Sequence, residues 1–243
     1  MIEKLELKKA ASWLKQARSV AVLTGAGVSQ ESGIPTFRGA SGEGLWEKYN
    51  PIELATPGAF AKDPGLVWRW YEYRRDLVRN ARPNAGHYSL ARLENLLSSM
   101  HLITQNVDDL HQRAGSKNIT RLHGNLFEAR GIKSLQVIPL PDPLQEIPPQ
   151  REGEMLRPNI VWFGESLDSA VLDRAFDVAR QSDVLLVIGT SLQVYPAALI
   201  LPLALESGAR VIEINPVPSR VPGTMILEGT AAGILPALEA ELI

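Results

Sequence analysis

Short apolar runs, each closing on a cluster of small or polar residues, constrain this chain more than any other feature. Residues 19–24 (SVAVLT) run into Gly25, residues 184–188 (VLLVI) into Gly189, and residues 210–214 (RVIEI) into Asn215. Runs of this length without polar alternation mark strands buried on both faces. Further strands are expected at 101–104, 119–122 and 160–163. Between the strands lie stretches read as helices, at 2–17, 53–62, 64–79, 85–98, 109–114, 168–181, 196–207 and 231–242. Strands alternating with helices predict an α/β fold, an open parallel sheet with helices on both faces. Such sheets bind ligands beyond the carboxyl ends of their strands. The polar clusters stand at those ends.

Residues 131–157 differ in character. They hold Pro139, Pro141, Pro143, Pro148 and Pro149 with little periodicity, and they read as an irregular module of about residues 125–158 inserted into one domain spanning 1–243. The net charge of −2 supplies no field for nucleic acid or an anionic membrane. The longest apolar stretch, 194–205, contains Pro196 and Pro202 and falls short of a membrane span. With a charged N-terminus that lacks a signal-peptide core, this predicts a soluble cytoplasmic protein. The chain has no cysteine, which excludes disulfides, thiolate zinc sites and cysteine nucleophiles.

Thr24-Gly25-Ala26-Gly27-Val28-Ser29 follows the first strand. Glycines there let a backbone approach a pyrophosphate, although a lone Gly-Ala-Gly also makes a plain tight turn. Gln30 stands where the dehydrogenase fingerprint needs its third glycine. A long loop continues through Phe37, placed to cover a ribose or nicotinamide face, and Arg38, placed to meet a phosphate. Gln105, Asn106 and Asp108 follow another strand and offer amide and carboxylate groups, with helix capping as the plain alternative. His123, in Arg121-Leu122-His123-Gly124, is a candidate general base. His87, His101 and His111 read as structural. Gly189-Thr190-Ser191 suits phosphate, and Asn215-Pro216 is placed to reach a ribose; both also read as strand-end turns.

Taken together, the runs GAGVSQESGIPTFRG, TQNVDDLHQRAG, LHG, WFGE, GTSLQVYPA and the asparagine of EINP resemble the sirtuins, NAD-dependent protein deacylases, in family order across residues 25 to 216. The resemblance implies a Rossmann-like large domain, a small module, and a cleft between them that takes NAD and acyl-lysine proteins or peptides. It implies NAD contacts at Gly25, Ala26, Gly27, Ser29, Phe37, Arg38, Gln105, Asn106, Val107, Asp108, Gly189, Thr190, Ser191, Asn215, Pro216, Val217 and Ala231. It makes His123 the base, and Val161, Trp162, Phe163 and Gly164 a strand that pairs with the substrate backbone. The products it implies are free lysine, nicotinamide and O-acyl-ADP-ribose.

The chain departs from the family where most members bind zinc through two cysteine pairs. Those positions fall at Gly131 and Ser134 and near Pro149 and Glu152, so no zinc is expected. A metal-free core of Leu135, Val137, Ile138, Leu140, Leu144 and Ile147 is expected instead. Tyr71 and Arg74 share a helix face and resemble the pair that binds the acyl carboxylate in the desuccinylase and demalonylase branch. Apart from that resemblance, they read as a solvated charged helix. Arg75, about 100° around the helix, is expected to take no part. Two rivals remain: a module that holds NAD or ADP-ribose without turnover, and a dehydrogenase, which Gln30 and the long loop disfavour.

Overall fold

The structure, a computed structural model, describes residues 4–36, 45 and 49–243. Six strands form its central sheet: β1 (Val20–Thr24), β2 (Met100–Thr104), β3 (Ile119–Arg121), β8 (Val184–Ile188), β9 (Arg210–Asn215) and β10 (Thr224–Glu228). Their order is β10-β9-β8-β1-β2-β3, and every pairing is parallel. The chain lays β2 and β3 on one side of β1, then returns to lay β8, β9 and β10 on the other. The winding reverses between β1 and β8, which opens a crevice beyond their carboxyl ends.

Alternate residues of the strands enter two cores. Val20 and Val22 join Leu102, Leu186 and Ile212 beneath the helices Lys4–Gln16, Ala85–Leu96 and Ala231–Ala240. Ala21 and Leu23 join Ile103, Leu185 and Val187 beneath Ser169–Arg180 and Ile200–Glu206. Every residue of β1 and β8 is buried. At about 1.5–3 kcal/mol for each large aliphatic side chain, this sheet is the rigid base on which the strand-end loops stand. Among the described residues no helix is long and apolar enough to cross a membrane.

Residues 124–160 are ordered where the sequence reads irregular. They form β4 (Gly124–Gly131), β5 (Val137–Pro139), β6 (Gln150–Arg151) and β7 (Glu154–Ile160), an antiparallel sheet in the order β5-β4-β7-β6. A register shift between Gly124 and Ala129 breaks the alternation that would have announced β4. The expected metal-free core is half right. Leu140 is buried, and Ile138 and Leu144 pack beside it, but Leu135, Val137 and Ile147 are exposed. The module packs instead on the Pro64–Asn80 helix, where Trp68 donates its indole N–H to Leu156 O at 2.8 Å.

Three other expectations need correction. The helix read at 53–62 is two, Pro51–Leu54 and Pro57–Lys62, because the Thr56 hydroxyl caps the second by accepting from Ala59 N and Pro57 opens it. The strand read at 160–163 ends at Ile160. Residues 161–165 form a turn in which Glu165 N–H donates to Trp162 O at 3.0 Å and the Glu165 carboxylate accepts from Trp162 N–H at 2.9 Å. Arg75 is fully buried rather than idle. Its guanidinium bonds Glu72 at 2.8 Å, Pro141 O at 2.7 Å and Asp142 at 3.2 Å, tying the helix to the module.

Candidate active site

The loops after β1 and β8 meet where the winding reverses. Gly25 N–H donates to Ile188 O at 3.0 Å and Gly27 N–H to Gly189 O at 2.9 Å. A Cβ on Gly27 would lie 2.8 Å from the Gly189 carbonyl oxygen, and one on Gly189, at φ +60°, 2.6 Å from Val28 N. These glycines therefore let two backbone turns touch, a demand that exists before any ligand binds. Gln105 reaches across from the end of β2 and donates from Nε2 to Thr190 Oγ1 at 2.9 Å. Asn215 Nδ2 donates to Thr190 O at 2.9 Å, so one threonine gathers three strand ends. Beside it, fully buried Glu213 accepts from Ser219 N and Oγ, both at 2.7 Å, and pins the loop that follows β9. Ser191, Pro216 and Val217 are exposed on these loops.

Behind the loops runs a buried polar chain. The Nδ1 of His87 accepts from Asn84 N–H, so its proton lies on Nε2, 3.5 Å from Ser29 Oγ. Ser29 donates to Asp108 Oδ2 at 2.9 Å, and Asn106 Nδ2 donates to Ser29 Oγ at 3.1 Å. The other Asp108 oxygen accepts from Leu110 N–H at 3.1 Å. His111 lies 4.8 Å from His87, ring to ring, and its Nε2 is 3.1 Å from Thr24 Oγ1. Burial pushes His87 down to about 4 and His111 well below its ordinary value, so both stay neutral, while burial raises Asp108. Both histidines are expected to be structural, and both are buried and hydrogen-bonded behind the loops. The signal for His87 was its place three residues into a helix opened by Asn84, where a side chain bonds back to the cap.

His123 leaves β3 toward β4. Its Nδ1 is 3.0 Å from Gln105 O; a carbonyl only accepts, so Nδ1 carries the proton and Nε2 presents a lone pair. Burial lowers its pKa, partly offset by that hydrogen bond, so the ring is neutral and basic at pH 7.

Ala26, Ser29, Ile34, Pro35, Asn106, Val107 and Asp108 line one cavity, and Arg74 lines it too. Arg74 is buried, with its guanidinium 5.0 Å from the Trp70 ring centre and 5.6 Å from that of Tyr71. Tyr71 is buried beside it, and burial pushes its hydroxyl up to about 12. Two expected site residues point elsewhere. Trp162 is buried in the core between the helix and the module, and Ala231 is buried against Gly86 in the interface between two helices. Val161 N–H donates to His123 O and Phe163 N–H to Ala55 O, both at 3.0 Å; Phe163 is exposed, and Gly164 faces open space at φ +84°. Phe37 and Arg38 lie outside the described residues.

Zinc does not fit the module. The Glu154 carboxylate bonds the backbone N–H groups of Lys133 and Ser134, and a Cβ on Gly131 would lie 2.5 Å from Glu154 Oε2. A carboxylate thus fills the turn where one pair of family thiolates would stand. Among the described residues no three His, Asp or Glu gather as a metal site.

Glycine-tight loops at a winding reversal, with amides, hydroxyls and a neutral histidine around them, define an enzyme that binds a nucleotide at the edge of a parallel sheet. The Sir2 family model matches residues 25–196. An NAD-dependent protein deacylase from Pyrobaculum aerophilum is 50% identical, over 96% of this chain and 94% of that protein. A Sir2 homologue solved with ADP-ribose is 44% identical with a TM-score of 0.91, covering 96% of this chain and 95% of that one. A Sir2 protein bound to a myristoylated histone peptide is 30% identical with a TM-score of 0.80, covering 99% and 97%. The chain belongs to the Sir2 family.

Proposed function

We propose that this chain removes acyl groups from lysines of proteins or peptides at the expense of NAD, releasing nicotinamide and O-acyl-ADP-ribose, and that it favours succinyl- and malonyl-lysine over acetyl-lysine. The observation that carries the acyl preference is Arg74. It is buried yet lines the cavity that Ser29, Asn106 and Asp108 also line. An arginine stays charged when buried. A carboxylate at the end of an acyl chain is costly to bury without a partner, and a guanidinium meets it with two parallel hydrogen bonds.

NAD would supply an electrophilic ribose carbon when bound, and the chain's own residues position groups around it and accept a proton beside it. His123 takes a proton at Nε2, the only acceptor that its bond to Gln105 leaves on the ring. The chain His87–Ser29–Asp108 with Asn106 holds its amide and carboxylate groups fixed before any ligand arrives. The turn at residues 161–165 is the proposed contact for the substrate backbone, through Val161, Phe163 and Gly164. A net charge of −2 favours protein over nucleic-acid or membrane partners.

Arg74→Met tests the acyl preference. Loss of a buried charge-assisted contact costs about 2–5 kcal/mol, or about 30-fold to several thousand-fold in kcat/KM for a succinyl-lysine peptide. The acetyl-lysine form of the same peptide has no carboxylate and should stay within a few-fold of wild type. An equal fall for both would assign Arg74 to the fold or to NAD and end the acyl-preference reading.

A further inference from the structure

We propose that Trp162 is a positioning residue for acyl recognition: its indole N–H, locked in place by Arg157 and Glu165, aims the Tyr71 hydroxyl proton at the acyl carboxylate. The inference rests on the acyl preference proposed above and adds the residue that orients the pair.

The Trp162 Nε1–H donates to the Tyr71 oxygen at 2.9 Å. The Arg74 guanidinium stands beside the same residue, 5.6 Å from the Tyr71 ring centre. Indole and guanidinium groups donate and cannot accept. With the indole donor on its oxygen and a guanidinium beside it, neither able to accept, Tyr71 must direct its own proton away from both. Burial holds that proton on the oxygen at any working pH, since the hydroxyl is pushed up to about 12.

Trp162 has little freedom to do otherwise. The Arg157 guanidinium lies 3.5 Å from its ring centre, and Phe60 packs against it at 5.3 Å. Arg157 is itself fixed by Glu165 Oε1 at 2.5 Å, Glu165 Oε2 at 2.9 Å and Ile160 O at 3.0 Å. Glu165 Oε2 also accepts the Trp162 backbone N–H at 2.9 Å. The turn after β7 therefore clamps both ends of the tryptophan, and the clamp passes to Tyr71 through one hydrogen bond. An acetyl group offers no acceptor beyond its carbonyl, so the orientation of this proton bears on acidic acyl chains alone.

Trp162→Phe keeps a ring for Arg157 and Phe60 and deletes the N–H. The measurement is kcat/KM for succinyl- and acetyl-lysine forms of one peptide, in wild type, Trp162→Phe, Tyr71→Phe and the double variant. The succinyl-to-acetyl ratio should fall about 3- to 10-fold in Trp162→Phe, the worth of one hydrogen bond. In the Tyr71→Phe background, where no hydroxyl remains to aim, Trp162→Phe should leave the ratio unchanged. The ratio is read on the folded fraction, so a variant that merely folds poorly lowers both rates and does not move it. Arg157→Lys, which loosens the clamp but keeps the indole, gives a second reading and should lower the ratio only when Tyr71 is present. An unchanged ratio in Trp162→Phe, with a lowered one in Tyr71→Phe, overturns the positioning role and leaves the acyl preference standing. An equal fall with and without the hydroxyl assigns Trp162 to packing. If neither Tyr71→Phe nor Arg74→Met moves the ratio, the acyl preference itself is wrong and the positioning role falls with it.

Discussion

In the parallel sheet, β1 and β8 are buried along their whole length and end in residues that hold one another across the winding reversal. In the antiparallel sheet, β5 and β6 are largely exposed, and charged groups stand at the joints: Glu154 on the backbone N–H groups of the Lys133–Ser134 turn, Arg157 on Glu165, Arg75 on Asp142. One sheet is held by apolar area and presents chemistry at its rim. The other shares an apolar core with the Pro64–Asn80 helix, adds placed charges at its joints, and presents a wall. Apolar burial is indifferent to direction, whereas a charge pair fixes an angle. Core packing and placed charges together explain how the module holds a tryptophan in one orientation.

The sharpest way to separate the two regions is to remove chemistry from the rim without touching the wall. His123→Ala should lower deacylation by about 10²–10⁴-fold, the usual worth of a general base. Its melting temperature should stay near wild type, measured by calorimetry. A variant with near wild-type turnover would take His123 out of the mechanism. The acid limb of the wild-type pH–rate profile should lie below about 6.5, because burial lowers the His123 pKa from its ordinary value.

The next largest effect is on stability and belongs to the rim alone. His87 has its pKa depressed to about 4, so between pH 6.5 and 4 the unfolded chain binds a proton that the folded chain refuses. Stability is fully present above pH 6.5 and falls as pH drops through that window, by about 3 kcal/mol for this group. His111 pulls in the same direction. Urea unfolding at pH 7 and pH 4.5 should show the loss, and His87→Gln should make it shallower. An unchanged slope in the variant would mean that other groups set the acid limit.

Arg75→Met probes the joint between the two regions. It strands Glu72 and Asp142, although Arg79 still bonds both. A loss of about 2–3 kcal/mol is expected, below the range for a fully buried pair, with a Tm lower by roughly 5–10 °C. Both acyl substrates should lose activity in proportion to unfolding, and selective loss of desuccinylation would mark the joint as part of acyl recognition.

The smallest effect belongs to the wall. Glu154→Ala frees the N–H groups of an exposed turn, which water can satisfy, so global stability should hardly move. Faster amide hydrogen exchange at Lys133 and Ser134 should report the change. Metal analysis should give far less than one zinc per chain, and a chelator should leave Tm and activity unchanged. A stoichiometric zinc whose removal unfolds the module would contradict the absence of fitting ligands.

The two regions also differ in how openly the sequence declares them. β1 and β8 read directly, because VAVLT and VLLVI have no polar position to mislead and each stops at a glycine. β10 (TMILE) went unread: it is an edge strand, only Leu227 within it is buried, and it ends on exposed Glu228. The module strands hide because β6 is two residues long and Val137 in β5 is exposed. Within the site, the backbone-adjacent residues after β1, β2 and β8 were legible from their position alone. His87 and His111 were not, because their partners, Ser29 and Thr24, lie 58 and 87 residues away. Trp162 was read as facing substrate, and nothing local tells an indole that its N–H will find Tyr71 91 residues upstream.

The carboxylate in the Lys133–Ser134 turn belongs to a chain without cysteine, and that lack of thiols sets how the molecule meets sulfur-directed chemistry. Peroxide, nitrosating agents and alkylators disable thiolate metal centres by modifying sulfur nucleophiles. Here the only sulfur atoms are four methionine thioethers, which such agents attack slowly or reversibly. Oxidative bursts that would strip a metal from a cysteine-built module find no thiolate in this one, whose single sulfur is the Met155 thioether. The same silence makes the chain an instrument: a single cysteine introduced at exposed Ile147 would be the sole site for a maleimide dye, and would report the module's movement against the sheet without a background to remove.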